Sequence, residues 1–226
     1  MQELKNATIY NGDCLEVLQH LRGGVKAVIT DPPYMINTKS DGSGKINPWG
    51  DYINGAYWYT EWIRAAREKL TIDGCLWTCL NWRSMVTFQK AAADLGWPIE
   101  SLLVWDKCWI GPGGQKGLRP SYELVALFAG EKFAIPNRGL PDIQRFKWSS
   151  KKPNGHPAEK PVELMQWIIE NSTNEGDIVL DPFMGSGTTG VAAIRAGRRF
   201  IGIEQDANWF KVAAERLKAE ETQLTI

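Results

Sequence analysis

Four consecutive residues, Asp31-Pro32-Pro33-Tyr34, combine groups that could activate an amine. The Asp31 carboxylate and the Pro32 carbonyl oxygen can accept the two hydrogens of an exocyclic amine, which makes its nitrogen more nucleophilic towards a methyl donor. The prolines hold that carbonyl in place because their φ is fixed and they have no N–H. Tyr34 can stack on a base that has rotated out of a duplex. The tetrapeptide is also a common turn sequence, so a purely structural role stays open at this point.

A glycine-rich segment, residues 181–190 with the sequence DPFMGSGTTG, follows an apolar run and is expected to lead into a helix. Glycine lets the backbone approach a bound molecule closely, and the N–H groups at a helix start attract an anionic group. The glycines of this segment, in the spacing of a dinucleotide-binding motif, are Gly185, Gly187 and Gly190. The residues DPFM separate the apolar run from Gly185, whereas the dinucleotide motif begins directly at the end of its strand.

Glu204 ends the next apolar run, 23 residues after Asp181. At about this distance an acid binds the ribose hydroxyls of a nucleoside cofactor. The segment and Glu204 together therefore predict a nucleoside cofactor. A nicotinamide or flavin dinucleotide is the less favoured alternative, and a surface glutamate beside a capping turn is the structural one.

The two constellations in one chain resemble the amino-group DNA methyltransferases, which use S-adenosyl-L-methionine. The catalytic motif precedes the cofactor motif, which resembles the β-class arrangement, and the resemblance extends from Gly12 to Arg216. It implies an α/β fold with a doubly wound, mainly parallel sheet, the Rossmann-like class I S-adenosylmethionine-dependent methyltransferase fold. It also implies base flipping and direct in-line transfer.

The resemblance assigns roles residue by residue. The catalytic residues would be Asp31, Pro32, Pro33 and Tyr34. The cofactor-binding residues would be Asp13, Cys14, Asp31, Lys160, Asp181, Pro182, Phe183, Gly185, Ser186, Gly187, Thr188, Thr189 and Glu204. Residues 104–107 and 121–123 resemble later motifs of the catalytic half, and residues 156–161 resemble the start of the cofactor half. Ala158 stands where many relatives have Thr, which puts a hydroxyl contact to the cofactor in doubt.

The Asp at position 31 favours adenine-N6 as the target, because cytosine-N4 enzymes more often have Ser there. Cytosine-N4 is the close alternative, since both amines make similar demands on a pocket. The chain lacks the Pro-Cys motif that carbon-5 cytosine methylation requires. More distant alternatives are a non-catalytic DNA- or cofactor-binding module, an RNA or protein methyltransferase and, least favoured, an oxidoreductase. No metal is expected, because the cysteines and histidines are scattered.

The chain has no net charge, but residues 107–160 hold ten Lys or Arg against four acids. One positive face for double-stranded DNA is therefore expected, although a solvated loop region would look similar. The candidate DNA-binding residues are Lys39, Lys45, Lys116, Arg119, Arg138, Arg145, Lys147, Lys151 and Lys152. Trp109 and Trp148 lie in the same third of the chain and could stack or wedge.

Alternating apolar runs and amphipathic stretches predict the elements that position these residues. Strands are expected over residues 27–30, 75–80, 102–105, 124–128, 178–180 and 200–203. Helices are expected over residues 14–21, 58–70, 83–95, 161–169, 188–196 and 208–219. The tryptophans expected in the core are Trp58, Trp62, Trp77, Trp82 and Trp105. Residues 35–56 are expected to form a polar loop that could close over a flipped base or could be a mobile connector without function.

One domain over residues 1–226 is expected, with a catalytic half at 1–129, a target-recognition insertion at about 130–157 and a cofactor half at 158–226. So short an insertion predicts a short or relaxed target sequence, or help from a second subunit in a homodimer. The absence of an apolar run of about 18 residues and of a secretory signal predicts a cytoplasmic protein without membrane contact. The four cysteines are expected to be reduced core thiols.

Overall fold

A computed structural model of the 226-residue chain describes residues 1–34, 48–111, 116–149 and 159–223. The strands in these ranges are β1 Gln2–Glu3, β2 Ala7–Asn11, β3 Val25–Thr30, β4 Leu70–Leu80, β5 Ser101–Asp106, β6 Tyr122–Ala129, β7 Ile143–Arg145, β8 Ile178–Asp181 and β9 Arg199–Glu204. The helices are α1 Cys14–His20, α2 Pro48–Arg67, α3 Met85–Asp94, α4 Val162–Glu170, α5 Thr188–Arg195 and α6 Ala207–Gln223.

All of these strands belong to one sheet, in the order β1-β2-β9-β8-β3-β4-β6-β5-β7. The middle of the sheet, from β2 to β4, is parallel. Strand β6 runs antiparallel to both of its neighbours, β4 and β5. The predicted α/β fold with a mainly parallel sheet is confirmed, and the order reverses beside β8 and β3, where open α/β sheets place their ligands.

Helices cover both faces of the sheet, as the near-continuous apolar runs of its central strands require. Side chains alternate between the two faces along β3: Ile29 packs in one apolar layer and Val28 in the other. The Ile29 layer contains residues of α4, α5 and α6, and the Val28 layer contains residues of α1, α2 and α3. The doubly wound arrangement follows from burial on both sides.

The six predicted strands and six predicted helices are all present, with bounds that differ by a few residues except in α2. Helix α2 begins at Pro48, so the prediction of a loop is wrong for residues 48–56, and residues 35–47 lie outside the described residues. Proline is tolerated in the first turn of a helix, which explains the start at Pro48. Strands β1, β2 and β7 were not predicted, because they are short and carry little periodicity.

Three residues that were expected in the core are not fully buried: Trp58, Trp82 and Cys108. Trp62, Trp77 and Trp105 are buried, but Trp82 is 61% exposed because it lies in the turn after β4, and Trp58 is only half-buried. The described cysteines are all free thiols, and Cys108 is exposed rather than in the core. Cys108 has φ +50°, which marks a tight turn after β5.

None of the helices in the described ranges combines the length and apolar character needed to cross a membrane. Those ranges also contain no group of three or more His, Cys, Asp or Glu side chains placed to hold a metal ion.

Candidate active site

A cleft of about 420 Å³ opens at the carboxyl ends of β2, β3, β8 and β9. Asp31 directly follows β3, Asp181 ends β8 and Glu204 ends β9, so the sheet brings the two predicted motifs to one edge. Every residue predicted to act in catalysis or to bind the cofactor lines this cleft, except Gly187. Its volume is within the usual range of ligand sites.

The corner of the cleft that holds the predicted catalytic residues, Asp31–Tyr34, presents two hydrogen-bond acceptors. Asp31 Oδ1 is buried and has no hydrogen-bond partner among the described residues. The Tyr59 hydroxyl donates to the Pro33 carbonyl over 2.7 Å and so holds the turn that carries Pro32. In the described part of the chain, no hydrogen bond is seen to the Pro32 carbonyl. Both predicted acceptors are thus available to an amine.

A buried lysine holds the other oxygen of Asp31. Lys160 Nζ lies 2.5 Å from Asp31 Oδ2 and 3.3 Å from Glu123 Oε2. Burial by itself lowers the pKa of Lys160, but Asp31 and Glu123 outweigh it and hold that pKa above its ordinary value. The resemblance gave Lys160 a cofactor role. Lys160 lines the cleft, and its ammonium group lies against the carboxylate of Asp31.

The Tyr34 ring is fixed beside the same groups. Its hydroxyl donates to Glu123 Oε2 over 3.4 Å, and Lys160 Nζ lies 5.4 Å from the ring centroid. Burial, followed by the charge of Asp31, raises the pKa of Tyr34 well above its ordinary value, so the phenol stays neutral. A neutral ring at the mouth of this corner suits stacking on a base.

Asp181 is used to hold the glycine-rich segment. Its Oδ1 accepts a hydrogen bond from the Thr30 hydroxyl over 2.6 Å and another from the Phe183 N–H over 3.0 Å. Burial raises the pKa of Asp181 to about 6, although the hydrogen bonds from Thr30 and Thr189 act against it. Asp181 lines the cleft, but its carboxylate ties β8 to β3 and to the start of the loop.

The Glu204 carboxylate also contacts the glycine-rich loop, at Gly185. Oε2 accepts from the Gly185 N–H over 2.9 Å, and Oε1 accepts from the Asp206 N–H over 2.8 Å. A carboxylate has about four lone-pair sites, so both oxygens can still accept from a pair of hydroxyls. The predicted ribose-binding geometry is therefore available at Glu204.

The loop glycines meet distinct backbone and packing demands. Gly185 and Gly187 have φ +52° and +84°, a region that other residues adopt only with strain. A Cβ atom on Gly190 would lie 2.7 Å from both Leu217 and Phe200, so this glycine permits close packing of α5 against α6 and β9.

Comparisons with known proteins point to one family. The family model that matches residues 25–215 is the N6/N4 methyltransferase family, described as DNA methylase. YubD of Escherichia coli (strain K12), which carries the name of a methylase, is 33% identical over 213 residues, covering 92% of this chain and 88% of YubD. The Type II methyltransferase M2.MboI of Moraxella bovis is 28% identical over 242 residues, covering 94% and 88% of the two chains. The solved M1.HpyAVI–SAM complex is similar with a TM-score of 0.71 and 28% identity, covering 93% of this chain and all of the other.

The chain belongs to the N6/N4 DNA methylase family. It is an S-adenosylmethionine-dependent DNA methyltransferase, and its parallel sheet with helices on both faces is the Rossmann-like class I fold that the resemblance implied.

One side of the methylase cleft is aromatic. Phe183 packs against Trp58 and Trp62, with ring centroids 5.4 Å and 5.3 Å away. Trp58 lines the cleft, as do Met165 and Trp209, and none of the three was predicted to. The spacing of Trp58 and Trp62 on α2, four residues apart, was the signal that could have placed Trp58 on the same helix face.

Arg216 on α6 holds the glycine-rich loop of the methylase by hydrogen bonds and an ion pair. Arg216 Nη1 lies 2.8 Å from Glu159 Oε1 and donates to the Ser186 carbonyl and the Thr188 hydroxyl over 3.2 Å and 3.1 Å. Between β2 and α1, Asp13 caps α1 by accepting from the N–H groups of Leu15 and Glu16. The predicted cofactor residues thus lie on loops held by side chains.

The basic segment of the methylase is only partly described. Exposed candidates for DNA binding are Lys116, Arg119, Arg138, Arg145 and Lys147. Lys39, Lys45, Lys151 and Lys152, as well as His156 and Ala158, lie outside the described residues. Arg145 pairs with Asp106 over 3.0 Å while its side chain stays 78% exposed. Trp109 and Trp148 are stacked with centroids 4.2 Å apart, which forms an aromatic surface beside β7.

Proposed function

We propose that the protein transfers a methyl group from S-adenosylmethionine to the exocyclic N6 amine of adenine in double-stranded DNA. The observation that most strongly supports an exocyclic amine as the target is that Asp31 Oδ1 is buried and without a hydrogen-bond partner in the described ranges. A buried carboxylate oxygen without a donor costs free energy, so a site that keeps one is suited to a substrate that brings the donor. Pro32 offers the second acceptor for the same amine.

The cleft residues fit the proposed cofactor. S-adenosylmethionine, when bound, supplies a methyl group on a sulfonium centre. Glu204 would hold the ribose hydroxyls, and Phe183 with Trp58 would pack on apolar parts of the nucleoside. The positive φ of Gly185 and Gly187 turns the loop back on itself at the start of α5, whose N–H groups suit a carboxylate. The loop and Glu204 thus match a nucleoside that carries an anionic end.

We propose direct transfer, with the amine as the nucleophile: its nitrogen would bond to the methyl carbon as the bond from that carbon to sulfur breaks and a neutral thioether leaves. The methylated nitrogen would then release one proton to solvent. Asp31 and Pro32 would hold its two hydrogens, and Tyr34 would stack on the extruded base. Burial, followed by the charge of Asp13, raises the pKa of Cys14, the cysteine that lines the cleft, to about 12. A thiol with so high a pKa is a poor nucleophile at neutral pH, which supports a route without a covalent enzyme intermediate.

We propose that DNA lies across the segment from about residue 130 to residue 157, with catalytic residues before it and cofactor residues after it. Exposed Arg138 and Lys147 lie in the described part of that segment. Because the segment is short, we expect a short or relaxed target sequence, or a homodimer that shares recognition. A role in restriction and modification is part of this proposal, since M2.MboI is named as a Type II enzyme.

The test is mass spectrometry of nucleosides from unmethylated DNA incubated with the protein and S-adenosylmethionine. N6-methyladenine is the expected product, and N4-methylcytosine would assign the alternative target of the same family. The same assay on RNA is the control for substrate class. Methylated RNA without methylated DNA would overturn the proposal, and so would cofactor binding without any product on DNA.

A further inference from the structure

Four charged side chains form a chain of alternating sign that ends on the catalytic carboxylate. Lys107 Nζ lies 2.5 Å from Glu123 Oε1, and Glu123 Oε2 lies 3.3 Å from Lys160 Nζ. Lys160 then pairs with Asp31 Oδ2 over 2.5 Å. The Lys160 side chain is 6% exposed and the others are between 13% and 22% exposed. Two cations and two anions balance, so these four side chains together bring no net charge into the protein interior.

The strand register explains how these groups meet. Trp105 on β5 pairs with Glu123 on β6, and the Lys107 N–H donates to the Ser121 carbonyl just beyond that pair. Lys107 Nζ also lies 5.2 Å from the Trp105 ring centroid. Lys107 and Glu123 are therefore fixed by the antiparallel β5–β6 ladder, far from Asp31 in sequence.

The chain of charges fixes both ends of the catalytic tetrapeptide. At one end Lys160 occupies Asp31 Oδ2, which leaves Oδ1 as the oxygen available to the cleft. At the other end Glu123 Oε2 accepts from the Tyr34 hydroxyl. Burial by itself raises the pKa of Glu123, but Lys160 and Lys107 outweigh it and hold that pKa below its ordinary value. Glu123 and Lys160 thus stay charged together, as buried ions require.

We propose that Lys160 is a positioning residue for methyl transfer and that Glu123 and Lys107 act through it. Lys160 orients the Asp31 carboxylate so that Oδ1 faces the substrate amine, and Glu123 with Lys107 fixes the Lys160 ammonium group. The inference rests on the proposed function. It differs from the cofactor-binding role that the resemblance gave Lys160, because it assigns Lys160 to the transfer step.

The first test is Lys160→Met, with Lys90→Met on the exposed face of α3 as the control. Calorimetry measures the Kd of S-adenosylmethionine, and a single-turnover assay measures the transfer rate with cofactor and DNA saturating. We expect the rate to fall about 100-fold, the scale of a misplaced reacting group, and the Kd to change less than about threefold. A Kd that rises at least about tenfold with an unchanged saturated rate would assign Lys160 to cofactor binding and overturn the inference.

Further variants keep the test decisive if Lys160→Met fails to fold. The double variant Lys160→Met/Glu123→Gln removes one cation and one anion, so the remaining buried charges still balance. We expect it to bind the cofactor but to transfer as slowly as Lys160→Met, and we expect Lys160→Arg to recover part of the rate because it keeps the cation. A double variant with the wild-type rate would overturn the inference. Asp31→Asn separates the two proposals: if it too transfers at the wild-type rate, the proposed function fails as well.

Discussion

The Thr30 hydroxyl lies 2.6 Å from Asp181 Oδ1, so the last residue of β3 is hydrogen-bonded to the last residue of β8. Strand β3 leads into the predicted catalytic tetrapeptide, Asp31–Tyr34, and strand β8 leads into the glycine-rich loop. Both groups are buried. The contact therefore fixes the distance between the two halves of the cleft, and its energy depends on the ionisation of Asp181.

Replacing Thr30 by valine removes this donor without changing the side-chain shape much. We expect the free energy of unfolding to fall by about 1–3 kcal/mol, since a buried acceptor loses a partner. Because the hydroxyl favours the ionised form, the pKa of Asp181 should rise above its value of about 6. The loss should then be larger at pH 7.5 than at pH 5. Urea unfolding at both pH values checks this, with Thr8→Val on β2 as the control.

The sign of the pH dependence follows from the raised pKa of Asp181. Between pH 3.8, the ordinary pKa of this carboxyl group, and about pH 6, the folded protein binds this proton and the unfolded chain does not. Stability from Asp181 is therefore greatest below pH 4 and declines as pH rises to about 6. The resulting fall in the free energy of unfolding between these pH values is on the order of 3 kcal/mol. This pH dependence should vanish in Asp181→Asn and persist in the control Asp94→Asn. Identical pH profiles for the wild type and Asp181→Asn would contradict the assignment.

Glu204→Gln should weaken cofactor binding. The change removes the negative charge but keeps one acceptor for the Gly185 N–H, so the loop should remain in place. We expect the Kd of S-adenosylmethionine to rise about 10- to 100-fold, the scale of a lost charge-assisted hydrogen bond. Calorimetry on this variant and on the exposed control Glu215→Gln gives the comparison. An unchanged Kd would remove Glu204 from the cofactor site.

Gly190→Ala tests the close packing of α5. The new methyl group would meet Leu217 and Phe200 at 2.7 Å, so side chains or backbone must move. Alanine favours a helix by up to about 1 kcal/mol, which reduces the loss. Overpacking costs about 1–3 kcal/mol, and we expect a net decrease in unfolding free energy. In the control, Gly117→Ala, the added carbon meets nothing within 4 Å, and urea unfolding should show no comparable loss.

Trp109→Ala should weaken DNA binding and leave the cofactor site intact. Trp109 is 38% exposed and stacks on Trp148, beside exposed Arg145 and Lys147. If a base or sugar contacts this surface, the change should cost about 1–3 kcal/mol, or about 5- to 100-fold in the Kd of a DNA duplex. Fluorescence anisotropy at fixed salt measures it, with exposed Trp82→Ala as the control. Equal affinities for the two variants would exclude Trp109 from the interface.

The sequence was most informative where function depends on adjacent residues. Asp31–Tyr34 and the glycine loop were predicted because proline, glycine and carboxylate chemistry acts within a few positions, and the central strands because they are continuous apolar runs. The interaction of Lys160 with Asp31 and Glu123 could not be predicted, since it depends on tertiary contacts across 129 and 37 residues.

Other differences have local physical causes. Helix α2 begins ten residues before its predicted start at residue 58, because Gly50, Asn54 and Gly55 give its first half a low helix propensity. The three-residue strand β7 is held by pairing with β5, which no local pattern shows. Trp82 was expected in the core because it was assigned to a predicted element, but it lies in a turn between β4 and α3, which leaves it exposed.

The central claim is that the Asp31 carboxylate activates the amine, and Asp31→Asn tests it most directly. The amide keeps the shape of the side chain but removes the charge and can place a donor where Oδ1 accepts. The measurement is the single-turnover rate of methyl transfer to DNA with saturating S-adenosylmethionine, beside Asp94→Asn. The account predicts a loss of about 100- to 1000-fold in Asp31→Asn, with a DNA affinity within about threefold of the wild type. A transfer rate equal to that of the wild type would contradict it.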